Sequence, residues 1–227
     1  MDMTGLFVAG TDTGVGKTLV SAALLYQWSR AGYACAGMKP VATGAILTED
    51  GLRNDDAAVL MQAGSVQMNY AWHNPCVFAD PVAPHLASME AGCAIELKQI
   101  KHAYHRLRSQ TSRIVVEGVG GWSVPIDNQR TMADVVRMLG LPVILVVGIR
   151  LGCINHALLT VSAIQNSGSR LCGWIANTID PNMPFLEGNI TTLVQSINAP
   201  LLRVIPWQKE QNALLAANNC PTIPWNL

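Results

Sequence analysis

An α/β fold, a mainly parallel β-sheet with helices on both faces, is predicted by three observations. Runs such as Pro142 to Gly148 are apolar at successive positions, as strands buried on both faces must be. Strand-like segments alternate with segments of helical length, which is the pattern of a parallel sheet covered by its connecting helices. The first strand also runs directly into Gly10-Thr-Asp-Thr-Gly-Val-Gly-Lys-Thr18 and a helix, the strand, glycine-rich turn and helix of a phosphate cradle.

The first strand, Leu6 to Ala9, is apolar throughout, and the first helix runs from Leu19 to Trp28. Unpaired amides in the turn between them point at one spot, where the helix dipole also favours negative charge. Lys17 adds a mobile cation for terminal phosphates, and the Thr18 hydroxyl suits a magnesium ion. The spacing departs from the strict Gly-x4-Gly-Lys-Ser/Thr pattern, because Thr11 stands where that pattern has glycine and Gly10 comes one residue early. Nucleoside triphosphate binding is the expectation.

A short strand, Ala34 to Met38, ends at Lys39-Pro40. An ammonium aimed at the sheet's carboxyl edge can stabilise charge on a moving phosphoryl group, and Thr43 lies just beyond. Asn54-Asp55-Asp56 signals the start of a helix from Ala57 to Gln62. Either aspartate can cap amides there or reach a metal. Gly64 to Pro84 reads as irregular, with Pro75, Pro81 and Pro84 limiting helix. A helix from Leu97 to Arg108 precedes the strand Arg113 to Glu117. Glu117 closes that buried strand, where the carboxylate partner of a phosphate-bound metal belongs. Gly118 to Gln129 is loop and Met132 to Leu139 helix. There follow a strand from Val143 to Gly148, a helix from Asn155 to Asn166, a strand from Leu171 to Asn177, a helix from Phe185 to Ser196 and a strand from Leu201 to Ile205. The tail reads as irregular around one short helix. Ligands of open parallel sheets bind beyond the carboxyl ends of the strands. That rule selects Lys17, Thr18, Lys39, Glu117, Gly148 to Asn155, Asn177 and Pro206 to Gln208.

The 227 residues suit a single domain spanning 1–227, and 50% hydrophobic residues can fill its core. Fifteen basic and fifteen acidic residues leave no net charge and no basic block, which excludes a nucleic-acid footprint. No apolar run approaches the roughly 20 residues of a membrane helix, and Met1 to Gly10 does not read as a secretory signal. The six cysteines include no C-x-x-C pair and the five histidines no ligand spacing. His102 and His105 share what reads as a solvated helix face. A cytoplasmic protein without a disulfide framework or zinc site is expected.

Taken with these residues, six segments resemble the dethiobiotin synthetase family along nearly the whole chain. They are Gly10 to Thr18, Gly37-Met-Lys-Pro-Val-Ala-Thr43, Gly51-Leu-Arg-Asn-Asp-Asp-Ala57, Val116-Glu-Gly-Val-Gly-Gly-Trp122, Leu151-Gly-Cys-Ile-Asn-His-Ala157 and Ile205-Pro-Trp207. The resemblance implies a P-loop NTPase-like fold and a ligase of biotin biosynthesis. Its reaction is ATP-dependent ureido-ring closure on 7,8-diaminononanoate with carbon dioxide, with magnesium as cofactor. It also implies an active homodimer and the following roles. Lys17, Lys39 and Thr13 would be catalytic, with Gly14, Val15, Gly16, Lys17 and Thr18 wrapping the triphosphate. Thr18, Asp56 and Glu117 would hold the metal, which selects Asp56 over Asp55. Gly118, Val119 and Gly120 would lie along the nucleotide. Asn177 would read the adenine edge, with Thr178, Pro206, Trp207 and Gln208 around the base. Thr43 would contact the substrate. Gly152, Cys153, Ile154 and Asn155 would contact the substrate of the partner subunit. Against common family residues, this chain has Gly14 for glutamate, Ala83 for serine, Thr178 for aspartate and Ala213 for glutamate. A nucleotide-switch ATPase of the same fold is the rival reading, disfavoured because Thr11-Asp12-Thr13 lacks the extra lysine typical of such proteins.

Overall fold

The computed structural model describes residues 5–209, 217, 220, 222 and 223. At its centre is a six-stranded parallel sheet of β1 (Gly5–Gly10), β2 (Cys35–Met38), β7 (Arg113–Glu117), β8 (Val143–Ile149), β9 (Leu171–Thr178) and β10 (Leu201–Ile205). Between β2 and β7 the chain adds short strands β3 (Val41–Ala42), β4 (Ile46–Thr48), β5 (Gly51–Arg53) and β6 (Cys76–Val77). The helices are α1 (Lys17–Arg30), α2 (Asp55–Ala63), α3 (Tyr70–His73), α4 (Pro84–Glu90), α5 (Leu97–Arg108), α6 (Met132–Leu139), α7 (Cys153–Asn166) and α8 (Leu186–Ser196). The sheet order is β10-β9-β8-β1-β7-β2.

The successive apolar residues have the predicted cause. In β1, Leu6 and Val8 face one apolar layer with α1, while Phe7 and Ala9 face the other. In β8, Ile144 and Val146 join the first layer, and Val143, Leu145 and Val147 the second. A strand alternates sides at every residue, so covering both faces demands apolar residues at every position. The central strand β1 lies between β8 and β7. The chain therefore reverses its direction of travel across the sheet beside β1, and a crevice opens there beyond the strand ends.

Outside the sheet, burial of Ile100, Ala103, Tyr104 and Leu107 gives α5 one apolar stripe. His102 and His105 fall on its exposed face. A capping box between Thr131 and Asp134 starts α6, and Gly140 ends it at φ 64.

Three expectations need correction. The stretch from Gly64 to Pro84 is not simply irregular: it holds α3 and β6, and β6 pairs in parallel with β3. Asn69 accepts from the Ala71 amide to start α3, and Pro84 opens α4 rather than blocking it, since the first helical turn needs no N–H from proline. Helix α7 starts at Cys153, two residues before its expected start, with Gly152 at its N-cap. The expected features of the tail and the Ala213 position fall largely or wholly outside the described residues.

Candidate functional site

β1 ends at Gly10, the chain turns through residues 11–16, and α1 begins at Lys17. Gly16 adopts φ 95, and a Cβ there would lie 2.2 Å from Asn177 Nδ2, so both conformation and space require glycine. That same Nδ2 donates to the Val15 carbonyl at 2.9 Å, which pins the end of β9 to the turn. Gly14 needs its residue type for conformation alone, with φ 73 and open space around it. Asp12 accepts from the Thr13 amide at 2.7 Å, and its other carboxylate oxygen pairs with Arg150. This bridge from the cradle to the residues before α7 was not foreseen from the sequence. The backbone bond to Asp12, followed by the Arg150 guanidinium, holds its carboxyl below the usual range despite some burial.

Lys17 Nζ donates to the Asp12 carbonyl at 2.8 Å. Burial first, then the charge of Lys39, pushes this ammonium down to about 8. The cradle's cation is therefore poised to gain from an anion.

A second cluster forms where β2, β7 and α2 meet α1. Lys39 Nζ donates to Glu117 Oε1 at 2.6 Å, to Asp56 Oδ2 at 2.8 Å and to the Gly118 carbonyl at 3.0 Å. The Thr18 hydroxyl lies 2.8 Å from Asp56 Oδ1 and 3.0 Å from Glu117 Oε1. Burial alone would drive Lys39 toward neutrality, but the two carboxylates outweigh it and hold its proton above the ordinary range. Burial likewise opposes ionisation of Asp56, and Lys39 reverses the effect, so Asp56 lies below its usual range. Asp56 rather than its exposed neighbour Asp55 reaches the cluster. Glu117 is fully buried, and its Oε2 has no hydrogen-bond partner. An orphaned carboxylate oxygen costs free energy unless something else satisfies it.

Both clusters open into a cleft of about 960 Å³. Thr13, Gly14, Gly16, Lys17 and Thr18 line it from the cradle, and Lys39, Thr43 and Asp56 from the β2 side. Val119 and Gly120 line it after β7, and Asn177, Thr178, Trp207 and Gln208 after β9 and β10. Val15, Glu117 and Gly118 are buried outside the lining, and Pro206 is exposed beside it. Trp122 meets the Phe7 ring edge-on at a 6.4 Å centroid distance, seating the loop after Glu117 against β1. Residues 152–155 do not line this chain's cleft: Gly152 and Asn155 are exposed, and Cys153 is buried. Pro81, Val82, Val124 and Asn54 line the cleft unforeseen, and with them Ala83, which stands where the family commonly has serine. The Asn54 cap signal was legible, but its second bond, to the Thr43 carbonyl at 3.3 Å, was not.

Thr18, Asp56 and Glu117 are hard oxygen donors, the chemistry magnesium selects. Among the described residues no group of three or more His, Cys, Asp or Glu forms a metal cage. Magnesium rarely uses such cages, sharing one or two carboxylates with substrate phosphates. The unpartnered Glu117 Oε2 meets the same requirement, so these residues fit the ion.

His73 supports the site from below, its carbonyl accepting from the Lys39 amide at 2.7 Å. Its Nδ1 lies 2.7 Å from the Gly37 carbonyl, which requires the proton there, and Nε2 is buried without a partner. Burial lowers its pKa, against the opposing bond to Gly37. Between that depressed pKa and the unfolded value of about 6.5, only the unfolded chain binds the extra proton, so stability decreases as the pH is lowered. Thermal midpoints should therefore drop from pH 7 to pH 5, less steeply in His73→Asn. Equal slopes would show that His73 does not set this dependence.

A family model described as an AAA domain matches residues 4–213. The chain is 46% identical to an ATP-dependent dethiobiotin synthetase of Xanthomonas campestris over 94% of its own length and 95% of the relative's. It is 48% identical to one from Escherichia coli O157:H7, over 90% of this chain and 91% of that one. Among solved structures, the septum site-determining protein MinD of Pyrococcus horikoshii, complexed with Mg-ADP, aligns with TM-score 0.54 at 15% identity. The alignment covers 93% of this chain and 86% of that one. MinD of Aquifex aeolicus aligns with TM-score 0.53 at 14% identity, over 94% and 86%. At such identities the likeness is one of fold, the P-loop NTPase-like fold.

Proposed function

Since the chain belongs to the family of ATP-dependent dethiobiotin synthetases, we propose that it closes the ureido ring of dethiobiotin from 7,8-diaminononanoate, carbon dioxide and ATP. One amine of the substrate adds to carbon dioxide and loses a proton, giving a carbamate. A carbamate oxygen attacks the γ-phosphorus, releasing ADP and leaving a carbamic-phosphoric anhydride. The second amine attacks the carbamate carbon, expels phosphate and closes the five-membered ring.

The observation that carries this reading is the second buried ammonium. A nucleotide cradle needs Lys17, whereas Lys39, 3% exposed and on a different strand end, adds a cation where a further anion must react. Two anions brought together need both charge neutralisation and fixed geometry. In this scheme residues 14–18 bind the triphosphate, Thr13 donates to its oxygens, and Lys17 and Lys39 stabilise the carbamate and moving phosphoryl group. Thr18, Asp56 and Glu117 hold magnesium. Bound there, the ion would supply charge neutralisation for the phosphate oxygens. An ion held there would compete with Lys39 for the two carboxylates, which would leave the ammonium available to the carbamate. Thr43 contacts the diamine. Asn177, Thr178, Pro206, Trp207 and Gln208 surround the base, and Gly118, Val119 and Gly120 follow the nucleotide. The six free cysteines suit a reducing cytoplasm.

The chain acts as a homodimer in which residues 152–155 complete the partner's substrate site. Support comes from Leu151, just before α7, and Leu159 on it, 88% and 63% exposed, which stand on either side of Asn155 in sequence and favour burial against another subunit. The amides at the start of α7 suit the diamine's carboxylate. Asn155→Ala should raise KM for diaminononanoate about tenfold with kcat little changed, the mark of lost uniform binding. Unchanged kinetics in steady-state assays would remove the cross-subunit contact.

The direct test is mass spectrometry of the product formed from ATP, magnesium, bicarbonate and diaminononanoate. Dethiobiotin should appear, and ATP turnover should need both co-substrates. Vigorous hydrolysis without them would favour a nucleotide-driven switch instead.

A further inference from the structure

β2 is an edge strand of the main sheet, and Lys39 falls between its end and the short pairing of β3 with β6, so neither ladder fixes it. α3 and the residue after it supply that support. The Lys39 amide donates to the His73 carbonyl, and Asn74 Nδ2 donates to the Lys39 carbonyl, each at 2.7 Å. Asn74 is 1% exposed, and the same amide group also reaches the Cys76 carbonyl at 3.3 Å. Its remaining side-chain atom, Oδ1, accepts from the Tyr70 hydroxyl at 2.9 Å. That hydroxyl in turn accepts from the Asn54 amide at 2.8 Å. Asn54 caps α2 through the Ala57 amide at 3.2 Å and reaches the Thr43 carbonyl. Asp56 lies in the first turn of that helix. The Arg53 guanidinium stacks on the Tyr70 ring, 4.2 Å from its centroid, which fixes the ring's plane and the direction of its hydroxyl.

One phenolic oxygen thus links the support of the strand end carrying Lys39 to the helix start carrying Asp56. Neither Tyr70 nor Asn74 lines the cleft. We propose that Tyr70 and Asn74 are positioning residues for ring closure, setting the Lys39 ammonium against Asp56 and Thr43 through the chain Asn54, Tyr70, Asn74, Lys39. The role rests on the function proposed above for Lys39. With both backbone groups of Lys39 held, its ammonium extends from a fixed point toward Asp56 and Glu117. Removing the hydroxyl leaves the Asn54 amide and Asn74 Oδ1 each without this partner, and the backbone of Lys39 loses its tie to the start of α2.

The test uses Tyr70→Phe, with Asn74→Ala as a second variant, in the full chain. Displacements near 1 Å can cost up to ~100-fold in rate, so kcat should fall about ten- to a hundredfold while KM for ATP stays within about twofold. The two changes should be non-additive when combined, as expected for one network. Hydrogen–deuterium exchange, which needs no turnover, should quicken in peptides spanning 39–44 and 54–58 but not in 143–149. A wild-type chain that makes no dethiobiotin overturns the proposed function and this role with it. Wild-type activity beside an unaffected Tyr70→Phe variant overturns the positioning role alone, as does faster exchange spread evenly over the sheet.

Discussion

Lys39→Ala is expected to abolish ring closure, with kcat falling by about a thousandfold, the upper range for losing one preorganised charge donor. Stability should fall as well. Glu117 is 0% exposed and loses a 2.6 Å ammonium partner, and stranding a buried charge costs about 3–5 kcal/mol. The two losses separate through magnesium. Lys39 is the cation held by Asp56 and Glu117, so a magnesium ion on the same carboxylates would have to compete with it. Without Lys39 the carboxylates are left for the metal alone, and magnesium should raise the thermal midpoint of Lys39→Ala more than that of the wild type. Lys39→Gln, which keeps a donor to Glu117 without the charge, should fold better and lose as much turnover. Near-normal kcat in either variant would refute the catalytic role. Equal responses to magnesium would refute the competition between ammonium and metal.

The residues in these predictions were legible in the sequence to very different degrees. The cradle could be read because its requirements are local: Gly16 needs a left-handed backbone, and its neighbours Lys17 and Thr18 follow on the same turn. The central strands were legible because double-sided burial writes itself as unbroken apolar runs, as in β8. Their order was not, since the pairing of β1 with both β7 and β8 depends on crossover paths that leave no periodic trace. Two-residue strands such as β3 and β6 are too short for any alternation to show. The Tyr70 and Asn74 network falls in that stretch. That stretch reads as irregular in the sequence, and the Asn69 cap and the Asn74-Pro75 pair are the signals that could have marked a turn of helix and its end. The choice between Asp55 and Asp56 needed the family resemblance, because both lie in the first turn of α2 and one turn of helix presents several directions. The bridge between Asp12 and Arg150 spans 138 residues of sequence and joins two side chains that sequence spacing cannot bring together.

Lys17→Met, which keeps the length of the side chain and removes its charge, should weaken ATP binding by about a hundredfold, since charge-assisted bonds to phosphate lie well above neutral ones in strength. The fold should survive, because among the described residues the Lys17 ammonium donates to a backbone carbonyl, and its loss strands no buried carboxylate. In the wild type the free ammonium sits at about 8, lowered first by burial and then by Lys39. A bound triphosphate raises it, so binding favours the protonated form. Affinity should therefore be level below pH 8 and decline as pH rises above it, with fractional proton uptake that grows through that range. Calorimetry in buffers of different ionisation enthalpy measures that uptake directly. The Lys17→Met variant should lose both the uptake and the pH dependence that Lys17 confers. If its affinity followed the wild-type curve, the anion would be held by the backbone amides of residues 14–18 alone, and Lys17 would have no part in binding it.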